Sequence, residues 1–206
     1  MTLPSSGTYS NLDLSLDALR IVQLRGPMTR QVRNEALRQG GEAAWEALLA
    51  KVSPACRELF SRPIGLYEWI PAHFSDELSR AFLAHGDADF IRRRSVDAAR
   101  EQITVLNRWL LRLITPAFLL ENVPRIFAFY YRGGRVTVDL LREGEAELSL
   151  WALGFYKGWY ERGLTAWLEY ALTLTQAKEV RVVYAAPTGE GLEAHRHRYL
   201  ISWIPE

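Results

Sequence analysis

Two periodicities divide the chain. Over residues 88–114, Val96, Ala99, Ile103, Leu106, Leu110 and Leu113 recur every three or four positions, while Arg93, Asp97, Arg100, Glu101, Asn107, Arg108 and Arg112 fill the opposite side. That spacing predicts one long amphipathic helix. From residue 127 the spacing falls to two. Phe127, Phe129 and Tyr131, then Val136, Val138 and Leu140, then Ala146, Leu148 and Leu150 alternate with other residues, as half-buried strands do. Gly133-Gly134 between the first two runs predicts a hairpin, since two glycines supply the positive φ angles of a tight turn. Residues 155–177 predict a long apolar helix with Phe155, Trp159, Gly163 and Trp167 along one stripe. Gly158 and Gly163 inside it disfavour a helix by about 1 kcal/mol each, which implies a close approach of that backbone to the sheet or to a ligand. Val180, Val182 and Tyr184, and then residues 195–204, predict two closing strands joined by a loop with Pro187, Gly189 and Gly191.

The first half carries mostly helical signals. Pro27 suits a first helical turn, and Gly40-Gly41 ends that helix near Arg38. Ala44, Leu48 and Val52 repeat at intervals of four beside Trp45 and Leu49, predicting a helix over 42–52. Ser53-Pro54 opens a turn carrying Cys56, Leu59 and Phe60. Residues 75–84 predict a further helix stopped by Gly86, and Pro116 and Pro124 bracket a short helical piece. A short strand is expected near 20–24. The architecture this implies is α+β. A helical half, 20–126, packs beside a C-terminal half, 127–206, made of an antiparallel sheet of four to five strands crossed by one long helix. Residues 1–19, polar and rich in Pro, Gly and Ser at their start, are expected to be a flexible leader or short irregular segment.

With 49% apolar residues the chain can bury a sizeable core, and a net charge of +1 gives no field to steer nucleic acid or hold an anionic membrane. A single cysteine, Cys56, excludes an internal disulfide and a thiolate zinc cage. No signal-peptide pattern and no membrane-spanning run is evident, so a soluble cytoplasmic protein is expected. Seven Trp, nine Tyr and eight Phe change the picture more. Rings on this scale fill cores or line pockets, and the candidates for lining a cavity between the two halves are Trp69, Trp109, Phe129, Phe155, Trp159 and Trp167.

Few residues suggest chemistry. His195 and His197 share one face of a strand and would need a third ligand to hold a metal. They read first as a half-solvated strand face, so no metal site and no cofactor is expected. His73 sits at a helix entry. His85-Gly86-Asp87-Ala88-Asp89 reads as a capping turn, and Arg92-Arg93-Arg94 as a wet basic run or a docking patch. Gly133-Gly134 serves a turn before it serves a phosphate. No nucleophile elbow, phosphate-binding loop or zinc-protease motif is present, and the protein is expected not to be an enzyme.

Gly26-Pro27 before a helix, Tyr67-Glu-Trp-Ile-Pro71, Thr115-Pro116 after the long helix, Phe129-Tyr-Tyr-Arg-Gly-Gly134 and Tyr199-Leu-Ile-Ser-Trp203 together resemble the myxobacterial DUF2378 family. That family is similar in layout to vinyl-reductase-type domains, haem-NO-binding domains and TRAPP-type trafficking subunits, which place helices beside a sheet crossed by a helix. The resemblance implies a ligand-binding or signalling role. It does not carry over a zinc site, because residues 185–198 lack the cysteines vinyl-reductase-type domains use there. The Tyr-x-Ser-x-Arg motif of haem-binding relatives is also missing. An acyl-carrying cysteine would have to be Cys56, whose apolar neighbours point to a buried, inert thiol. Two functions follow as expectations. One is a non-enzymatic sensory or regulatory module binding an apolar or aromatic small molecule between its halves. The other is a ligand-free interaction subunit, a homodimer that meets a partner in bacterial signalling or motility.

Overall fold

The computed structural model describes residues 15–84, 89–104, 114–175 and 177–205. Helices dominate its first part. Ser15 caps α1 (Leu16–Leu19) through a hydrogen bond from the Ala18 amide to its Oγ, and Leu19 is fully buried. The next residues bond to a distant strand end, Ile21 N to the Leu153 carbonyl and Leu153 N to the Leu19 carbonyl, both at 2.8 Å. Residues 15–19, expected within the flexible leader, are therefore anchored by burial and backbone pairing; residues 1–14 lie outside the described part.

Strand β1 (Gln23–Arg25) leads into α2 (Pro27–Leu49), whose run of turns is broken at Gly40 and Gly41, the latter at φ 67°. The Gly pair acts as the sequence implies, as a kink between two helices. Ser53 caps α3 (Pro54–Phe60) by accepting from the Cys56 amide. Strand β2 (Trp69–Pro71) runs into α4 (Ala72–Leu83), and α5 (Phe90–Thr104) covers the described part of the long amphipathic helix.

Helix α6 (Pro116–Tyr130) departs most from expectation. Residues 127–131 were expected as a strand, yet the helix passes through Pro124 and ends only at Tyr130. Leu119, Leu120, Val123 and Phe127 are all buried and extend one helical stripe, and in a five-residue aromatic run the helical and strand spacings coincide. Strand β3 is reduced to Tyr131–Arg132 and pairs with β1, giving a small sheet in the order β2-β1-β3.

Gly133 and Gly134, at φ 90° and 74°, are accordingly not a hairpin turn. They carry the chain from the small sheet into a second one, with Gly134 N bonded to the Ala18 carbonyl at 2.9 Å. The hairpin lies one connection later, where β4 (Arg135–Arg142) and β5 (Glu145–Trp151) turn at Gly144, φ 80°. With β6 (Lys178–Ala185) and β7 (Arg196–Ile204) they form an antiparallel sheet in the order β4-β5-β7-β6. The larger sheet thus starts at Arg135, not at residue 127.

The helix expected over 155–177 is a π-helical turn, Trp159–Leu164, followed by α7 (Thr165–Thr173). It lies on the inner face of the four-stranded sheet, where Ala146, Leu148, Leu150, Val182, Tyr199, Ile201 and Trp203 are buried. Large side chains such as Leu148, Leu150 and Ile201 each stabilise the packed layers by about 1.5–3 kcal/mol. The architecture is α+β, with seven α-helices and two antiparallel sheets among the described residues. No helix there is long and apolar enough to cross a membrane.

A methyl group at Gly133 would overlap the Arg20 carbonyl at a positive φ. Gly133→Ala should therefore lower stability by about 2–4 kcal/mol, read as a lower urea midpoint; an unchanged midpoint would contradict the tight crossing between the sheets.

Candidate functional site

The glycines of the π turn decide where the helical part meets the sheet part. A Cβ at Gly158 would stand 2.8 Å from Ile91 Cδ1, and one at Gly163 would stand 3.2 Å from Ser95 Oγ. The close approach inferred from these glycines is therefore to α5, rather than to the sheet. Bare backbone on one side and the small Ser95 and Ala98 on the other leave a half-enclosed cavity of about 60 Å³. Met28 of α2 closes one side, Val123, Ile126, Phe127 and Tyr130 of α6 another, and Tyr131, Trp159, Leu164 and Trp167 complete the wall.

Its rings are ordered among themselves. Phe127 stacks on Tyr131 at 4.7 Å, and Tyr131 meets Trp159 edge-on at 6.0 Å. Phe155 stacks behind Trp159 at 4.2 Å. Burial drives the phenols of Tyr130 and Tyr131 above their usual range, so both stay neutral donors. Arg94 supplies charge among the lining residues. Its Nη1 donates to Ser79 Oγ at 2.6 Å and its Nη2 to the Met28 carbonyl at 3.0 Å. Beside this region Gln31 donates to Glu101 at 3.0 Å, and burial raises the Glu101 pKa.

The predicted lining residues divide. Trp159 and Trp167 line the cavity, and Phe155 supports it from behind. Trp69 and Phe129 belong to an outer cluster, because the Arg25 guanidinium lies 4.5 Å from the Trp69 ring and 4.6 Å from Phe129. Arg25 also donates to the backbone carbonyls of Phe129 and Tyr67, and Arg132 covers Trp69 at 4.3 Å. Cation–π contact holds these rings outside. Trp109 falls outside the described residues, as do positions 85–88 of the capping turn.

Sequence reasoning missed Met28, Arg94, Ser95, Ala98, Phe127, Tyr130 and Tyr131. One signal was available: Ile91, Arg94 and Ala98 step by three and four, which places Arg94 on the packed stripe of α5 and not on its wet side.

His195 and His197 do not share a strand face, since His195 ends a 3-10 turn (Gly191–His195) and only His197 is in β7. The His197 ring stacks on Tyr160 at 3.8 Å and bonds to Tyr184 Oη at 2.8 Å. Among the described residues no three His, Cys, Asp or Glu side chains converge as metal ligands would. Cys56 is fully buried, its Sγ 3.6 Å from the Phe74 carbonyl, and burial together with Glu77 pushes the thiol up to about 12. It is an unreactive packing residue.

No family model matches the chain, DUF2378 included, and no curated protein matches it. Solved structures do share its fold. A mutant H-NOX protein from K. algicida in the Fe(II) unliganded state superposes with a TM-score of 0.67 at 7% identity, over 88% of this chain and 97% of that one. An H-NOX protein from S. oneidensis in the Fe(II)NO state gives 0.64 at 12% identity, over 88% and 99%. A T. Tengcongensis H-NOX mutant gives 0.55 at 10% identity, over 85% and 94%. Of the layouts the motifs resemble, the haem-NO-binding one is thus matched, at identities that show the fold alone.

His197 yields a pH prediction. Burial, and then the neighbouring His195, lower its pKa from 6.5 to about 4. The folded state resists a proton that the unfolded chain accepts, so its contribution is full above the unfolded pKa and is lost as pH falls toward 4. After allowance for partial solvent screening the loss is about 1–2 kcal/mol. His197→Phe keeps the stack on Tyr160 and should flatten the acid limb of the melting temperature; an unchanged slope would contradict this assignment.

Proposed function

We propose that this protein is a non-enzymatic sensory or regulatory module that binds a small apolar or aromatic molecule in the cavity between α5, α6 and the π turn. The observation that carries it is the ring wall of Phe127, Tyr131, Trp159 and Trp167 around space kept open by Gly163, Ser95 and Ala98. Apolar walls with a few placed polar groups are the usual character of small-ligand sites. A ring-sized guest needs about 150 Å³, so Trp159, half-buried, swings aside from Phe155 as it enters. Smaller apolar molecules enter without that motion.

The structures sharing this fold are described by their iron and its ligation, and haem is the group they suggest. The described residues do not fit it. Among the described residues the lining holds no His or Cys. His73 is exposed on α4, His195 ends the 3-10 turn, His197 is in β7, and Cys56 is buried within α3. A cavity of about 60 Å³ is a small fraction of a porphyrin's volume. Tyr131-Arg-Gly-Gly-Arg135 has glycine where the haem-binding motif has serine, and that glycine is packed against the Arg20 carbonyl.

A second reading, an interaction subunit that forms a homodimer or meets a signalling partner, draws on the outer cluster. Tyr67 is 72% exposed and Phe129 47% exposed beside Leu66 and Arg25, and exposed aromatic patches of this kind favour protein contacts.

Titration with toluene or indole should shift the indole N–H resonances of Trp159 and Trp167. At ten times Kd it should stabilise the protein by about 1.4 kcal/mol. Ala98→Leu fills the space and should abolish both effects. Silence of both indoles at saturating probe would refute the ligand reading, and a stoichiometric haemin complex with a ligated Soret band would refute the exclusion of haem.

A further inference from the structure

We infer that the cavity's ligand is an anion, a small carboxylate with an apolar or aromatic body whose charged end pairs with Arg94. This rests on the binding function proposed above and narrows it to a chemical class.

The argument begins with charge. Arg94 is the one formally charged side chain among the described lining residues. Two hydrogen bonds hold it, to Ser79 Oγ and the Met28 carbonyl, and the Tyr156 phenol lies beside it; all three groups are neutral. Among the described residues no carboxylate stands within 4.0 Å of its guanidinium, and the acidic groups around α5 are engaged elsewhere. Glu35, 5% exposed, pairs with Arg38 and Arg93; Asp76 pairs with Arg80 at 2.6 Å; Glu101 accepts from Gln31. A guanidinium has five N–H donors in a planar fork, and the two bonds fix that fork while leaving donors over.

Arg94 is half-buried beside apolar walls, and an anion reaching it meets a cation with no carboxylate partner among the described residues. The phenols of Tyr131 and Tyr156, pushed upward by burial, stay protonated beside it and do not neutralise Arg94, and Tyr131 lines the cavity as a donor. The fork geometry matches a carboxylate, and such a charge-assisted pair gains strength where apolar walls partly exclude water. The apolar walls then take the rest of the molecule. As it stands, about 60 Å³ takes a carboxylate on a short chain, and an aromatic body such as that of benzoate enters with the swing of Trp159 described above.

Benzoate and benzamide test this, being nearly the same shape with and without the charge. Wild-type protein should bind benzoate at least about tenfold more tightly than benzamide, followed by the Trp159 and Trp167 indole resonances. Arg94→Gln should remove that preference while leaving benzamide affinity within about twofold. A purely structural Arg94, bracing α2 and α4, would change both affinities together. Equal affinities in the wild type, or a preference that survives Arg94→Gln, would overturn the anion inference and leave the cavity reading standing. Failure of both probes to bind would overturn both. Should Arg94→Gln not fold, the wild-type ratio decides alone.

Discussion

Two glycines on the π turn set how closely the helical and sheet-bearing parts of this protein meet. With no Cβ at 158 or 163, the turn lies directly against Ile91 and Ser95 of α5. Any side chain at those positions would have to displace Ile91 or Ser95. This contact places Trp159 and Trp167 opposite Ala98 and the aromatic end of α6, and the cavity is what the small residues leave between the rings. A helix-breaking residue type is tolerated here because packing across the turn offsets its unfavourable backbone entropy.

The sheet holds the other side of the same turn. Tyr160 donates to the Ala152 carbonyl at 3.2 Å, stacks on His197, and offers its own carbonyl to Tyr199 Oη at 2.8 Å. Backbone and side chain of one residue are thus both tied to the four-stranded sheet. The small sheet does the equivalent for α6, since β3 pairing with β1 fixes Tyr131 at the cavity wall. The proposed function draws on this double anchoring: a ligand between α5, α6 and the π turn would touch elements from both parts at once, so that its binding would alter their packing.

Much of the fold was legible from local signals. The Gly40-Gly41 kink, the Ser53 cap, the strands of the larger sheet and the fact that Gly158 and Gly163 mark a close approach, though not that it is to α5, all came from residue types whose backbone preferences are strong. What failed was non-local. Residues 127–131 satisfy both spacings, and only the buried stripe continuing from Leu119 and Leu120 decides for helix. The three-stranded sheet joins segments far apart in sequence, and two- or three-residue strands have no periodicity to read. The site was legible in the same proportion. Trp159 and Trp167 stood on one stripe, but Trp69 and Phe129 were drawn outward by Arg25, an attraction that hydrophobic patterning does not encode. Arg94 was hidden in a run of three arginines, although its phase relative to Ile91 and Ala98 marked it as inward.

The contact on which everything else rests can be measured without any ligand. In a nuclear Overhauser spectrum of the labelled protein, Gly163 Hα should show cross-peaks to the Ile91 methyls and the Ser95 Hβ protons, with Gly158 Hα also reaching Ile91. Gly163 cross-peaks confined to its own helix and the sheet, with none to α5, would mean that the two parts do not close on each other and that the cavity does not exist.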